Sequence, residues 1–296
     1  MGNILTKQFY RQRKDFEDSC AGRDAGLTFP EGVRCSTDIA YADDGIKAHL
    51  LDIYRPEDSQ EKILPVIINV HGGGLIIGNK EFNRYFCALL CKKGFLVYSI
   101  EYRLIPDCLI YDQIADVFMA MDYIKERLAA DGGDSSHVYM AGDSGGACLI
   151  TYANAIQNST NIAMAANVTP SGLRINALGL ISGMFYTSRF DKIGLFLPKY
   201  LYGRDYKKTS FAKYVNPENR ELLNSLAPVW LVTSHNDFLR RYTTDFEKAL
   251  TRAEREHELV VFPKNKKLTH AFSVFEPFMP ESGAVIDMMV EYLRKF

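Results

Sequence analysis

The chain has 296 residues, of which 47% are hydrophobic and 24% charged, and its formal net charge at pH 7 is −1. This composition is that of an ordinary globular protein with one substantial core and room for a small lid. The 35 basic and 36 acidic residues form no long like-charge block, which excludes the charge pattern of a nucleic-acid-binding protein.

No stretch of the sequence reaches 18 uninterrupted apolar residues, so no membrane span is predicted. Residues 1–14 lack the apolar region of a signal peptide, and a cytoplasmic protein is expected. The six cysteines show no CxxC spacing and indicate free thiols. Cys87 and Cys91, four residues apart on a predicted helix, indicate packing, and no metal site is expected.

Strand-like and helix-like segments alternate from residue 35 onward. The predicted strands are Cys35–Tyr41, Leu50–Tyr54, Pro65–Val70, Phe95–Glu101, His137–Ala141, Ala177–Ile181, Val229–Thr233 and Leu259–Phe262. Helical spacing covers Gln113–Leu128, Ala147–Ile156 and the C-terminal run through Leu293, and the charged run Glu254–Glu258 is also helix-like. This rhythm predicts an α/β fold with a mostly parallel central sheet and helices on both faces.

Two regions do not fit the alternation, residues 1–34 and the aromatic-rich residues 185–224. Because open α/β sheets bind ligands beyond the carboxyl ends of their strands, we expect these regions to form a helical cap over that crevice. Residues 35–184 and 225–296 then form the main domain. Some of the aromatic side chains fit equally well as the internal core of the cap.

Residues 142–146 read Gly-Asp-Ser-Gly-Gly between a predicted strand and a predicted helix. A strand-to-helix turn that exposes a serine Oγ leaves no room for a Cβ two residues to either side, which explains the glycines at 142 and 146. Ser144 is therefore a candidate nucleophile. By itself the motif also fits a flexible glycine turn.

A second glycine motif, His71-Gly72-Gly73-Gly74, follows the apolar run that ends at Val70. Such a loop leaves backbone N–H groups free to stabilise the oxyanion that forms during acyl transfer. The candidate donors are the N–H groups of Gly73, Gly74 and Gly145. The residues predicted to support the loop and the turn are His71, Gly72 and Asp143.

A serine nucleophile needs a base and an acid that orients the base, and both are expected downstream of Ser144. His270 lies in a loop after the last predicted strand, and Asp237 directly follows the strand that ends at Thr233. His235 and Asp245 are the competing candidates for these two roles. The order Ser144, Asp237, His270 is that of the α/β-hydrolase architecture.

The same five residues around Ser144 occur in trypsin-like proteases, which are double β-barrels with the order histidine, aspartate, serine. Here the candidate base and acid follow the serine, and the serine precedes a helix. A trypsin-like fold is therefore excluded.

Several motifs together resemble the hormone-sensitive-lipase-like family of carboxylesterases over about residues 35–296. They are His71-Gly72-Gly73-Gly74, Glu101-Tyr102-Arg103-Leu104-Ile105-Pro106-Asp107, Gly142-Asp143-Ser144-Gly145-Gly146, Asp237-Phe238-Leu239-Arg240 and His270-Ala271-Phe272. The resemblance implies an α/β-hydrolase fold with a two-part cap and no cofactor. It also implies hydrolysis of short-chain carboxylic esters. Two departures stand out: Gly145 replaces the usual alanine, and Asp107 replaces the usual glutamate.

Other functions fit the same fold. An amidase, peptidase or arylformamidase-like enzyme would use the same three residues, because the cap selects the leaving group. A non-catalytic receptor for a small molecule is a further alternative, although such relatives typically lose one of the three residues, and all three are present here. A small-molecule ester is the expected partner, while acyl length, alcohol and oligomeric state are not specified by the sequence.

Overall fold

The computed structural model describes residues 2–59 and 62–296. Met1, part of the predicted cap, and Gln60 and Glu61, in the predicted main domain, lie outside the described residues. The described strands form one sheet in the order β1-β2-β4-β3-β5-β6-β7-β8. They are β1 (Val33–Ala40), β2 (Leu50–Pro56), β3 (Leu64–Val70), β4 (Leu96–Ile100), β5 (Gly133–Asp143), β6 (Ala177–Ile181), β7 (Val229–Ser234) and β8 (His257–Phe262).

The sheet is mostly parallel, as the sequence predicts. Strand β2 pairs antiparallel with β1 and β4, and the remaining pairs are parallel. The α-helices of the described chain are α1 (Gly2–Asp24), α2 (Arg84–Lys92), α3 (Ile110–Arg127), α4 (Ser144–Asn158), α5 (Thr160–Ala166), α6 (Lys192–Phe196), α7 (Pro198–Leu201), α8 (Arg220–Asn224), α9 (Arg240–Arg252), α10 (Phe272–Phe275) and α11 (Pro280–Leu293).

Two hydrophobic clusters cover the two faces of the sheet. In β3, Val66, Ile68 and Val70 belong to the cluster packed by α3 and α4, whereas Ile67 belongs to the cluster packed by α2 and α11. Successive side chains of a strand point to opposite faces, so a strand buried on both faces is an almost continuous apolar run. This burial holds the carboxyl end of β3, and the loop that follows it, in place.

The prediction of a helix-like run at Glu254–Glu258 is wrong. Helix α9 ends at Arg252, Glu254 has a left-handed backbone with φ of 53°, and β8 begins at His257. Among the described strands, β8 pairs only with β7 and forms the sheet edge, where polar side chains remain partly in solvent. The charges of this run therefore suit an edge strand as well as a helix.

Within the part of the chain that the structure describes, no helix is both long and apolar enough to cross a membrane. The aromatic residues of 185–224 divide into two groups. Tyr202, Phe211 and Tyr214 are buried, and the Tyr202 hydroxyl lies 3.1 Å from that of Tyr152 on α4. Phe190, by contrast, is exposed. The buried aromatic residues thus belong to the hydrophobic cluster that α3 and α4 share with the sheet.

Arg13 is one of the residues that attach helix α1 to the main domain. The guanidinium donates to the carbonyl oxygens of Ile76 at 2.8 Å, Leu104 at 3.0 Å and Ile105 at 2.6 Å. It also pairs with the Asp107 carboxylate at 2.7 Å. Asp107, a departure from the family pattern, therefore serves as an attachment point for α1.

Glu221, in α8, joins its own segment to the start of α5. Its carboxylate accepts hydrogen bonds from Tyr214 Oη at 2.6 Å, Asn161 Nδ2 at 2.9 Å and Ser159 Oγ at 3.1 Å. The bond from Tyr214 is the largest of the contributions that lower the pKa of Glu221 to about 2. The charged form of this carboxylate is thus bound more tightly in the folded chain than in the unfolded chain.

We expect Glu221→Gln to lower the free energy of unfolding at pH 7 by about 1 kcal/mol, since the carboxylate is partly exposed. Because the pKa of this carboxyl is lower in the folded chain than in the unfolded chain, the charged carboxylate stabilises the fold at pH values above the unfolded-state pKa. This stabilisation is lost as the pH falls through the folded-state pKa. The difference from wild type should therefore shrink toward pH 2. Urea unfolding at a series of pH values measures it, with the exposed Glu126→Gln as the control. A difference that persists unchanged at low pH would contradict the assignment.

Candidate active site

Ser144 stands at the turn between β5 and α4 with a left-handed backbone, φ of 49°. Such a conformation costs a non-glycine residue of order 1 kcal/mol and is held by its surroundings. A Cβ added at Gly146 would lie 2.1 Å from the Val70 carbonyl oxygen, and one at Gly142 would lie 2.8 Å from the same atom. The two glycines thus let the turn pack directly on the end of β3.

Ser144, His270 and Asp237 form a continuous hydrogen-bonded chain, although they lie far apart in the sequence. Ser144 Oγ is 2.9 Å from His270 Nε2, and His270 Nδ1 is 2.7 Å from Asp237 Oδ1. Because a carboxylate only accepts, Nδ1 carries the proton, and Nε2 is left to accept from the serine hydroxyl. This is the arrangement that a general base needs.

Asp237 is buried and well satisfied. Its carboxylate also accepts from Thr233 Oγ1 at 2.8 Å and from the Leu239 N–H at 2.7 Å. Burial by itself raises the pKa of this carboxyl, but the hydrogen bond from His270 and the attraction of its ring outweigh burial and hold the pKa below its usual value. Asp237 therefore stays ionised beside the imidazole.

The competing candidates are occupied elsewhere. His235 Nδ1 accepts from Arg240 Nη1 at 2.8 Å, and Asp245 pairs with Arg189 at 2.9 Å. Neither has a hydrogen bond to Ser144 or His270 among residues 2–59 and 62–296. The structure therefore brings together the preferred pair and leaves the alternatives outside the site.

The glycine loop after β3 presents its N–H groups beside Ser144. Gly73 and Gly74 have φ of 108° and 62°, and a Cβ at Gly73 would lie 2.0 Å from the Ile77 carbonyl oxygen. A Cβ at Gly145 would lie 3.0 Å from the nitrogen of Gly74, so the turn and the loop are in close contact. Within the described chain the N–H groups of Gly73, Gly74 and Gly145 have no hydrogen-bond acceptor.

Gly72 and Asp143, the two residues predicted to support the loop and the turn along with His71, are joined to each other by a hydrogen bond. The Gly72 N–H and Asn83 Nδ2 both donate to Asp143 Oδ1 at 3.0 Å. A Cβ at Gly72 would lie 2.1 Å from Asp143 Oδ2, so only glycine allows this approach. Burial raises the pKa of the Asp143 carboxyl. Asn83 is a supporting residue that the sequence does not indicate.

His71 supports the loop through two residues to which the sequence assigns no role. His71 Nε2 lies 2.7 Å from Glu101 Oε1, and the Tyr102 hydroxyl donates to the His71 carbonyl at 2.8 Å. Burial opposes a charge on His71, but Glu101 outweighs burial and raises its pKa. Both residues directly follow β4, the neighbour of β3, and that placement is the available signal.

Above these groups lies an apolar cleft of about 430 Å³. Its apolar lining consists of Phe16, Ile76, Ile77, Phe82, Met184, Ile193, Leu197, Phe238, Leu239 and Phe275. Phe16 belongs to α1, while Ile193 and Leu197 belong to the 185–224 segment. The Phe238 ring also packs beside the His270 ring, with 4.4 Å between ring centroids and an angle of 44° between the ring planes. A hydroxyl, its base and free N–H donors thus face a space suited to an apolar ligand.

The sheet order and the serine turn define an α/β-hydrolase. The sequence profile of the alpha/beta hydrolase fold family matches residues 67–273, and the chain belongs to this family. The predicted fold class and the resemblance to the hormone-sensitive-lipase-like carboxylesterases are confirmed.

Two of the curated relatives that match the chain are named as esterases. The chain is 29% identical over 184 residues to a probable isoprenylcysteine alpha-carbonyl methylesterase of Oryza sativa, covering 58% of this chain and 44% of that protein. It is 33% identical over 120 residues to esterase LipQ of Mycobacterium tuberculosis, covering 40% and 28%. The chain thus matches less than half the length of these two curated relatives.

The fold as a whole is similar to that of esterase B from Lactobacillus rhamnosis. The TM-score is 0.92 at 22% sequence identity, over 99% of this chain and 95% of that one. Esterase B has also been solved with a C4-C4 tributyrin phosphonate inhibitor. At this level of identity the likeness concerns the fold alone.

Proposed function

We propose that the protein is a serine carboxylesterase with Ser144 as nucleophile, His270 as general base and Asp237 as the acid that orients the base. The observation that carries the proposal is the hydrogen-bonded chain from Ser144 Oγ through His270 to Asp237, with distances of 2.9 and 2.7 Å. The names of the curated relatives support ester hydrolysis.

In the first half of the reaction, Ser144 Oγ bonds to the ester carbonyl carbon while its proton passes to His270 Nε2. The carbonyl oxygen becomes an anion and accepts hydrogen bonds from the N–H groups of Gly73, Gly74 and Gly145. The imidazolium, stabilised by Asp237, then donates its proton to the leaving alcohol.

The product of this half-reaction is an acyl-enzyme on Ser144. A water molecule then gives its proton to His270 and attacks the acyl carbon. The serine oxygen leaves, takes back the proton from His270, and the carboxylic acid is released. No cofactor enters these steps, and a small-molecule ester is the substrate.

The proposed substrates are short-chain esters, held under a cap formed by residues 1–34 and 185–224. Both regions contribute to the cleft, through Phe16 on one side and Ile193 and Leu197 on the other. The cleft of about 430 Å³ has to accommodate acyl and alcohol parts together. An intracellular location stays a prediction, and the free state of all six cysteines suits a reducing compartment.

We expect kcat/KM on p-nitrophenyl esters to be highest for short acyl chains and to fall toward palmitate, because a long chain exceeds the apolar cleft. The measurement is a rate series from acetate to palmitate. An optimum at palmitate would contradict the short-chain proposal and indicate a lipase. Parallel assays on an anilide and a formanilide test the amidase and arylformamidase alternatives, and a receptor would turn over none of these compounds.

Gly145→Ala, which restores the usual family residue, should impair this enzyme. The added Cβ would lie 2.8 Å from the Leu75 nitrogen and 3.0 Å from that of Gly74, so the loop must move. We expect kcat to fall about 10- to 100-fold, less than for complete loss of an oxyanion donor. The matched control is Gly283→Ala in α11, where no atom lies within 4 Å of the new Cβ. Equal activity of both variants would show that the loop tolerates the shift.

A further inference from the structure

Three exposed phenylalanines belong to the two chain segments that contribute to the active-site cleft, 185–224 and the start of the loop after β7. Phe190 is 92% exposed, Phe238 74% and Phe196 57%. Phe238 itself lines the cleft, and Phe196 lies on α6 between Ile193 and Leu197, which also line it. We call these three phenylalanines the exposed rim. Grouped exposed apolar side chains mark interaction sites, because single exposed residues are common but clusters are not.

A second cleft, of about 600 Å³, has an excess of positive charge, since four basic side chains line it together with the carboxylates of Asp245 and Glu247. We call it the basic cleft, and its four basic side chains are Arg189, Arg240, Arg241 and Lys248. Arg189 directly precedes Phe190, and Arg240 follows two residues after Phe238. The active-site cleft and the basic cleft therefore lie along the same two segments of chain.

The positive charge of the basic cleft is only partly neutralised. Asp245 pairs with Arg189 at 2.9 Å and with Lys248 at 3.4 Å. Within residues 2–59 and 62–296, neither Arg240 nor Arg241 has a carboxylate at ion-pair distance. The positive character continues along the chain, because residues 189–208 contain six basic and two acidic residues, in a protein with a net charge of −1.

We propose that this surface docks on an anionic lipid membrane, with the exposed rim inserted among the acyl chains and Arg240 and Arg241 bound to headgroup phosphates. Aromatic and basic side chains on one face are the combination that binds the membrane interface. Docking in this orientation turns the active-site cleft toward the lipid, so an ester dissolved there reaches Ser144 without crossing water.

Two other binding partners, a second copy of the chain and an acidic peptide, fit this surface less well than a membrane does. A second copy of the chain in a two-fold contact would place two clusters of unpaired arginines face to face. An acidic peptide would pair with the arginines but leaves the exposed phenylalanines without a role. A lipid surface accounts for both the exposed phenylalanines and the unpaired arginines. The docking proposal goes beyond the proposed hydrolysis, because binding to a membrane requires no turnover.

The test is co-sedimentation of the Ser144→Ala variant with large unilamellar vesicles of phosphatidylcholine, with or without phosphatidylserine. Using this variant keeps lipid hydrolysis out of the measurement. We expect binding that depends on phosphatidylserine and weakens with added salt. Phe190→Ser should lower the partition coefficient about tenfold, and Arg241→Gln about fivefold.

The matched control is the double variant Ile63→Ser/Arg34→Gln. Ile63 is 74% exposed and lies with Arg34 at another surface cleft, beside strand β1 at the opposite edge of the sheet from β8. We expect it to bind vesicles like the parent. The proposal is overturned by binding that ignores phosphatidylserine, by equal effects of control and test variants, or by no binding. It is also overturned if light scattering shows a dimer that Phe190→Ser dissociates.

Turnover is measured separately, on p-nitrophenyl acetate in the absence of vesicles and with the serine intact. Phe190→Ser should retain wild-type kcat, which also shows that the variant folds. If vesicle binding fails while turnover persists, the docking proposal is wrong and the esterase proposal stands. If vesicle binding persists while the wild-type protein shows no turnover, the docking proposal stands and the esterase proposal is wrong.

Discussion

Replacing Ser144 by alanine is expected to lower kcat on p-nitrophenyl acetate by about 10⁴ to 10⁶. The hydroxyl oxygen is the atom that forms the acyl-enzyme, and its proton lies on the path to His270 Nε2, 2.9 Å away. Without it, only the free N–H groups and the cleft remain to assist direct attack by water. Steady-state kinetics on purified protein measures the loss.

The matched control is Ser273→Ala. Ser273 is buried in α10, three residues from His270, and within the described chain its hydroxyl has no hydrogen-bond partner. Removing that oxygen should leave both turnover and folding unchanged. Retained esterase activity in Ser144→Ala, or an equal loss in Ser273→Ala, would contradict the assignment of the nucleophile.

The second large effect is expected for His270→Ala, with a fall in kcat of similar size to that of Ser144→Ala. The imidazole links the serine to Asp237, so its removal leaves the hydroxyl without a base and the buried carboxylate without its partner. Because base and nucleophile act as a unit, the double variant Ser144→Ala/His270→Ala should lose little more than either single variant.

His235→Ala is the control for this change, since His235 was the competing candidate for the base. It contacts Arg240 and lies outside the hydrogen-bonded chain. We expect its turnover to stay within about twofold of wild type, the range of a substitution away from the site. If His235→Ala were the inactive variant and His270→Ala the active one, the two roles would have to be exchanged.

The sheet could be predicted from the sequence because buried parallel strands are nearly continuous apolar runs, of which β3 is the clearest. The serine turn could be predicted because sterics leave only glycine at 142 and 146. The spatial order of strands could not, since the pairing of β3 with both β4 and β5 depends on long-range contacts that no local pattern encodes.

Part of the site could not be predicted from the sequence either. Asn83 belongs to no motif of the sequence, and Glu101 belongs to one that assigns it no role; only the folded chain brings them to Asp143 and His71. The run Glu254–Glu258 was wrongly predicted as helix-like because a charged run suits an exposed helix and an edge strand equally. The sequence does not indicate that Arg13 attaches α1, because its acceptors are three backbone carbonyl groups and one carboxylate that only the fold brings together.

The catalytic role of Ser144 is tested most directly by labelling with a p-nitrophenyl phosphonate followed by peptide mass spectrometry. We predict one covalent phosphonyl adduct, on Ser144, with release of one p-nitrophenolate per chain and much slower labelling of His270→Ala. An adduct on another residue, or an unlabelled protein that still hydrolyses esters, would contradict the account.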